Sequence, residues 1–177
     1  MIRNASATSL PDFPASGQPA QKTWTETPLF ERHSLNPILS REHWPYPINS
    51  VFNAGAVRLA DGDTLLLCRV EDRRGLSHLC AARSSNGIDG WRIDSEPTLP
   101  ANPREYPEEI WGIEDPRITF VPELDQYAVA YTSFAQGGPG VSLALTRDFK
   151  TFERYGDRKS TRLNSSHLRT SRMPSSA

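Results

Sequence analysis

Apolar and polar positions recur with a strand period over most of the chain, and the runs fall into two similar groups. In the first group, Val51 to Leu59 leads into the turn Asp61-Gly62-Asp63. Thr64 to Val70 follows as a near-continuous apolar run, the pattern of a strand covered on both faces. The charged turn Glu71-Asp72-Arg73-Arg74-Gly75 precedes a third run, Ser77 to Ser84, which stops at Asn86-Gly87. Trp91 to Asp94 is a short fourth strand. In the second group, strands are predicted at Arg117 to Val121, Gln126 to Ser133, Val141 to Thr146 and Thr151 to Arg154. Turns at 122–125, 137–140 and 147–150 separate them. Trp91 and Phe152 hold matching places about sixty residues apart. A repeated four-stranded unit with almost no helical period predicts an all-β fold built of propeller blades.

The remaining segments differ in composition. Residues 1–23 are rich in Ser, Ala, Pro and Gly, without hydrophobic period, and read as a disordered lead-in. Residues 24–156 form the body. Its linker from Glu96 to Trp111 is long and proline-rich, the kind of loop that shapes one face of a repeat fold. Two blades cannot close a ring and would leave an apolar face and unpaired edges, so the pattern predicts a natural protein that continues. From Asp157 to Ala177 the chain has no acid after the first residue, no aromatic and no period. It resembles the in-frame translation of a common sequencing adapter and is set aside as adapter-derived and disordered.

That tail changes the charge balance. The whole chain carries 20 basic and 21 acidic residues. Removing the tail's five basic and one acidic residue leaves 15 and 20, a net of −5. An acidic body argues against nucleic acid as a partner. No apolar run is long enough for a membrane span, and no charged-then-apolar leader opens the chain. Cys68 and Cys80 are too few for a disulfide framework and are expected to be reduced core thiols on opposite faces, in a cytoplasmic protein.

Candidate chemistry concentrates at Glu114-Asp115-Pro116-Arg117. Pro116 is expected to hold Asp115 extended at the start of a strand. Arg117 can pair with Glu114 or Asp115, leaving one acid free. Spacing alone favours an ion pair capping the strand over catalysis, and it is the rest of the chain that reverses this preference. Upstream, Trp44 and Tyr46 beside Asn49 and Ser50 suit either plain packing or a sugar-binding wall. Arg73-Arg74 reads as a solvated hairpin tip.

Three stretches together resemble one known family. They are Asn36-Pro37-Ile38-Leu39 with Pro45 to Ala56, Leu67 to Leu79, and Tyr106 to Thr119. The resemblance extends through 137–146 and is to glycoside hydrolase family 130. It implies a five-bladed β-propeller, of which this chain would be about two blades. It also implies inverting cleavage of β-mannosides, usually by phosphorolysis to mannose 1-phosphate. By resemblance Asp115 is the proton donor, thought to act through a sugar hydroxyl; its carboxyl is expected to need a raised pKa, which a low-dielectric propeller centre would favour and nearby Arg117 would oppose. Asn49 and Ser50 match positions that bind the mannosyl unit, Arg69 a basic residue near them; Asp72 and Arg117 are further substrate-binding candidates. For Asn49 and Ser50 the plainer role is a turn, and for Arg69 an ion pair with Glu71 or Asp72. No cofactor and no metal are implied; inorganic phosphate is the co-substrate, and a homo-oligomer is compatible with the full-length protein. The family's phosphate-binding basic residues fall mostly beyond Gly156, so a two-blade fragment is expected to be inactive. An inverting β-mannosidase, another five-bladed glycosidase and a carbohydrate-binding propeller are the alternatives.

Overall fold

A computed structural model describes residues 29–157 of the chain. The expected lead-in at 1–23 and nearly all of the tail at 157–177 lie outside the described residues. The chain divides into two compact units, Met1–Ser34 and Leu35–Ala177. In the first, residues 29–34 form no strand. The second unit carries all eight strands found among the described residues, in two four-stranded antiparallel sheets. Sheet one takes β1 (Ser50–Arg58), β2 (Thr64–Glu71), β3 (Ser77–Ser84) and β4 (Arg92–Ile93) in chain order. Sheet two takes β5 (Ile113–Val121), β6 (Gln126–Ala135), β7 (Gly138–Thr146) and β8 (Glu153–Asp157) likewise. The only helical elements among the described residues are three-residue 3-10 turns, at Arg41–His43, Pro107–Glu109 and Pro122–Leu124. No described helix is long and apolar enough to cross a membrane.

The repeat extends to individual hydrogen bonds. After β3, the Ser84 hydroxyl accepts from the N–H groups of Asn86 and Gly87, and the Asn86 Oδ1 accepts from those of Ile88 and Asp89. After β7, Thr146 Oγ1 accepts from Asp148 and Phe149, and Asp148 Oδ1 accepts from Lys150 and Thr151. Short polar side chains that bond to backbone two or three residues on replace the ladder where a strand stops. Gly87 and Phe149, at the same step of the two turns, are both left-handed, with φ of 73° and 53°.

Sheet one is buried on both faces, as the apolar run of β2 predicts. Leu65, Leu67, Leu79 and Ala81 join Ile113, Val129, Tyr131 and Phe149 in a core between the sheets. Cys68, Val70 and Cys80 face the other way, against Trp44 and Ile48 of the preceding extended segment. Trp44 is therefore core and not a sugar-binding surface. The two thiols are also not on opposite faces: Cys68 pairs directly with Cys80 across β2 and β3. Partners that stand opposite in an antiparallel ladder project to one face.

The largest departures from the expected strand boundaries are in β5, β7 and β8. β5 starts at Ile113 and runs through the charged cluster, because a bulge between Glu114 and Arg117 absorbs Pro116. A proline cannot donate to the ladder, and a bulge leaves its position unpaired. β7 begins at Gly138, with Pro139 opposite Phe134, which tightens the expected glycine-rich turn. β8 lies at Glu153–Asp157 rather than 151–154, since the Asp148 side chain caps the turn through Thr151.

Candidate active site

One end of the two sheets gathers the start of β1, the end of β2, and the starts of β3 and β5. Asn49 and Ser50 open β1, and Ser50 stands opposite Glu71, the last residue of β2. Asn49 donates from Nδ2 to Glu71 Oε1 at 2.6 Å and from its backbone N–H to the Glu71 carbonyl at 2.8 Å. The turn expected for Asn49 is thus a strand-to-strand clamp.

Arg69 organises the centre. It lies on the face of β2 that looks toward sheet two, with its side chain 16% exposed. Its Nη2 donates to Glu114 Oε1 at 2.9 Å, its Nη1 to Asp115 Oδ1 at 3.2 Å and its Nε to the Ser77 hydroxyl at 3.0 Å. The guanidinium also stacks over the Phe52 ring, 4.5 Å from its centroid. A planar fork of fixed donors can hold two carboxylates in one geometry, which an ammonium cannot. The acids expected to pair with Arg69, Glu71 and Asp72, do not. Asp72 instead accepts from the backbone of Arg74 and Leu76 and from the Arg74 side chain, fixing the hairpin tip. Arg117 forms no ion pair with Glu114 or Asp115 either; it donates to the Pro116 carbonyl.

Asp115 sits on the bulge of β5 with φ at 49°, left-handed rather than extended. The preference imposed by the following proline yields here to the bulge. Its Oδ1 accepts a second bond, from Asn53 Nδ2 at 3.0 Å. The carboxylate keeps 37% of its surface exposed. Partial burial pushes the Asp115 carboxyl up, but the bonds from Asn53 and Arg69 and the charges of Arg69 and Arg117 reverse this. The net displacement is below the ordinary value: the opposing effect outweighs the rise that a proton donor needs, with Asn53 and Arg69 ahead of Arg117 among its causes. Glu114 goes the other way: burial raises it, with Asp115 and Glu71 adding to the rise and Arg69 opposing. Adjacent carboxyls driven apart in this manner mark acid–base chemistry as well as structural pairs.

Close backbone approach fixes the site from behind. A Cβ on Gly55 would lie 2.7 Å from the Pro116 carbonyl oxygen. Gly112 bridges to Ser77 just before β5 begins. On the far side of that bridge is a cleft of about 470 Å³, lined by Tyr46, Asp72, His78, Pro100, Ala101 and Ile110 among others. Tyr46 and His78 hydrogen-bond within it at 2.9 Å.

The linker before β5 is anchored by a buried network that no pattern in the sequence announces. Glu109, 1% exposed, accepts from the Tyr131 hydroxyl, Arg154 and the Asn102 backbone at 2.7 to 2.8 Å. Asn53 and Ser77 escape the sequence reading as well, and Glu114 enters it only as a partner for Arg117. A signal existed for Asn53 alone, which stands 62 residues before Asp115, at the same step of the repeat. Among the described residues no cluster of three or more His, Cys, Asp or Glu could hold a metal ion.

Two bulged four-stranded antiparallel sheets in tandem define the class of fold as that of a β-propeller. Residues 21–173 match the family profile described as β-1,4-mannooligosaccharide phosphorylase, and the chain belongs to glycoside hydrolase family 130. A β-1,4-mannooligosaccharide phosphorylase of Ruminococcus albus is 31% identical over 149 residues, covering 81% of this chain and 42% of the relative. A 4-O-β-D-mannosyl-D-glucose phosphorylase of Bacteroides fragilis is 32% identical over 148 residues, covering 77% and 37%. The chain therefore spans about two fifths of the length of these curated relatives. A solved structure reported for the "GH130 family of mannoside phosphorylases" that "contains glycoside hydrolases that target beta-1,2 mannosidic linkages in Candida mannan" superposes with a TM-score of 0.62 at 27% identity, covering 71% of this chain and 40% of that one. The Listeria innocua β-1,2-mannobiose phosphorylase, at 22% identity and a TM-score of 0.60 over 71% and 50%, supports the fold. The two sheets are two blades of the family's five-bladed propeller.

Proposed function

We propose that these blades belong to an enzyme that cleaves β-mannosides by inverting phosphorolysis, releasing mannose 1-phosphate. The observation that carries this reading is Asp115, held by Arg69 and Asn53 on a bulge within the family-matched stretch. Asn49 and Ser50, at the open end of β1, and Arg117 contact the mannosyl unit. Arg69 sets the two carboxylates and retains N–H donors for sugar hydroxyls, since only one bond is drawn from each terminal nitrogen. Asp72 acts from the hairpin tip.

In the reaction a phosphate oxygen bonds to the anomeric carbon while the bond from that carbon to the leaving oxygen breaks. The leaving oxygen takes a proton from a sugar hydroxyl, which is replenished by Asp115. Phosphate is already an anionic nucleophile, so no second carboxylate is needed to activate water. Without ligand, Asp115 is held ionised by its cationic neighbours. A bound phosphate adds negative charge and a bound sugar excludes water; both push the carboxyl back up, toward a proton donor.

Hydrolysis is the second reading, favoured by the 27%-identical solved structure, which is described together with hydrolases of β-1,2 mannosidic linkages. The full-length enzyme, given β-mannobiose with and without inorganic phosphate, distinguishes the two. Mannose 1-phosphate formed only with phosphate is the expected result. Mannose released at equal rate without phosphate would overturn it in favour of an inverting mannosidase.

A further inference from the structure

We infer that Asn53 is a positioning residue for Asp115, the two side chains forming a clasp between matching bulges of neighbouring blades. The inference rests on the reading of Asp115 as the proton donor. β1 is bulged between Phe52 and Gly55, and β5 between Glu114 and Arg117. Asn53 and Asp115 each occupy the left-handed step of their bulge, at φ of 46° and 49°. Asn and Asp are the non-glycine residues that tolerate this conformation best. The two bulges turn these side chains toward each other, and Asn53 Nδ2 reaches Asp115 Oδ1 at 3.0 Å.

The bond has a directional consequence. Oδ1 accepts from both Asn53 and Arg69, whereas Oδ2 accepts from no side chain or backbone group among the described residues. Protonating Oδ1 would set a proton against two donors. The proton that moves is thereby assigned to Oδ2, and the amide fixes where that oxygen points. Arg69 cannot do this alone, because it also serves Glu114 and Ser77. The backbone is held independently, since Gly55 lies against the Pro116 carbonyl. Removing the amide therefore frees the carboxylate to rotate without unlocking the strand.

The charged groups facing Asp115 are Arg69 from β2 and Glu114 and Arg117 from β5, with Glu71 acting on Glu114 from behind. β1 contributes the neutral amide of Asn53. Asn53→Gly removes the donor and keeps the left-handed backbone free of strain. Asn53→Asp keeps the shape and replaces the donor by a like charge.

The first measurement is a carbon-detected NMR titration of the Asp115 carboxyl in the full-length enzyme. The midpoint is expected to rise in Asn53→Gly and to rise further in Asn53→Asp; an unchanged midpoint in both would overturn the clasp. The second is steady-state kinetics of the full-length enzyme. Asn53→Gly is expected to lower kcat on the order of 10²-fold with little change in KM, the signature of a misaligned group. A raised KM with unchanged kcat would make Asn53 a sugar contact and overturn positioning. Full turnover in Asp115→Asn would instead defeat the proton-donor reading, while the titration would still decide the clasp.

Discussion

Gly112 runs so close to Ser77 that a Cβ at position 112 would stand 2.6 Å from the Ser77 carbonyl oxygen and 2.7 Å from its nitrogen. Its φ of 102° is also left-handed. The contact joins the last residue before β5 to the first residue of β3, whose hydroxyl receives Arg69. Gly112→Ala should therefore strain the seam between blades by about 1–3 kcal/mol. It should also loosen Arg69. A lowered urea midpoint with unchanged slope checks the first effect, and a displaced Arg69 Nε resonance the second.

Asp115→Asn keeps an acceptor oxygen for Asn53 and Arg69, so the fold should persist. Only the proton is lost. Turnover by the full-length enzyme should fall by roughly 10²–10⁴-fold, the usual contribution of a positioned acid. Circular dichroism and melting temperature should stay close to those of the parent.

Glu109 is a buried charge with three partners, one of them Arg154, whose side chain is 10% exposed. Glu109→Ala leaves that guanidinium unpaired inside the protein and should cost about 3–5 kcal/mol. Glu109→Gln keeps an acceptor oxygen for the Asn102 N–H and can donate from its amide nitrogen to a turned Tyr131 hydroxyl, so it should cost less. Equal losses in urea denaturation for the two variants would show that the charge is not what matters.

Asp148 caps the turn after β7, and its carboxyl lies below the ordinary value of 3.8 because the Thr151 and Lys150 N–H groups favour the charged form. A depressed carboxylate adds stability that is complete above the unfolded pKa and fades as pH falls through the folded one. The contribution is thus present at neutral pH and lost below about 3.8. Asp148→Ala should lower stability at pH 7 by about 1 kcal/mol and flatten the acid limb. Parallel melting curves of parent and variant from pH 2 to 7 check this; an unchanged difference across that range would contradict it.

Cys68 and Cys80 stand side by side in the core, both free. Burial pushes the Cys68 thiol up to about 12, with the neighbouring Cys80 adding to the shift. A thiol held protonated is a poor nucleophile. Iodoacetamide at pH 8 should label both slowly in the native chain and rapidly in urea. Fast native labelling would place the thiols outside the core.

The sequence by itself determined the class of fold, the two four-strand groups and the family. Strand period and turn chemistry are local, and Thr64 to Glu71 or Ser77 to Ser84 carries enough of both to be placed from its own residues. It also singled out Asp115 as a candidate, through the charged cluster Glu114 to Arg117 and the family resemblance of the stretch around it. Tertiary structure decided what surrounds that carboxylate. Arg69 reaches it across 46 residues and Asn53 across 62, and no local pattern announces a partner on another blade. Register decided that the cysteines share a face, since one step along a strand reverses every side chain. The bulge in β5 decided that Asp115 is left-handed, because the ladder on either side of Pro116 outweighs the preference of a single dipeptide.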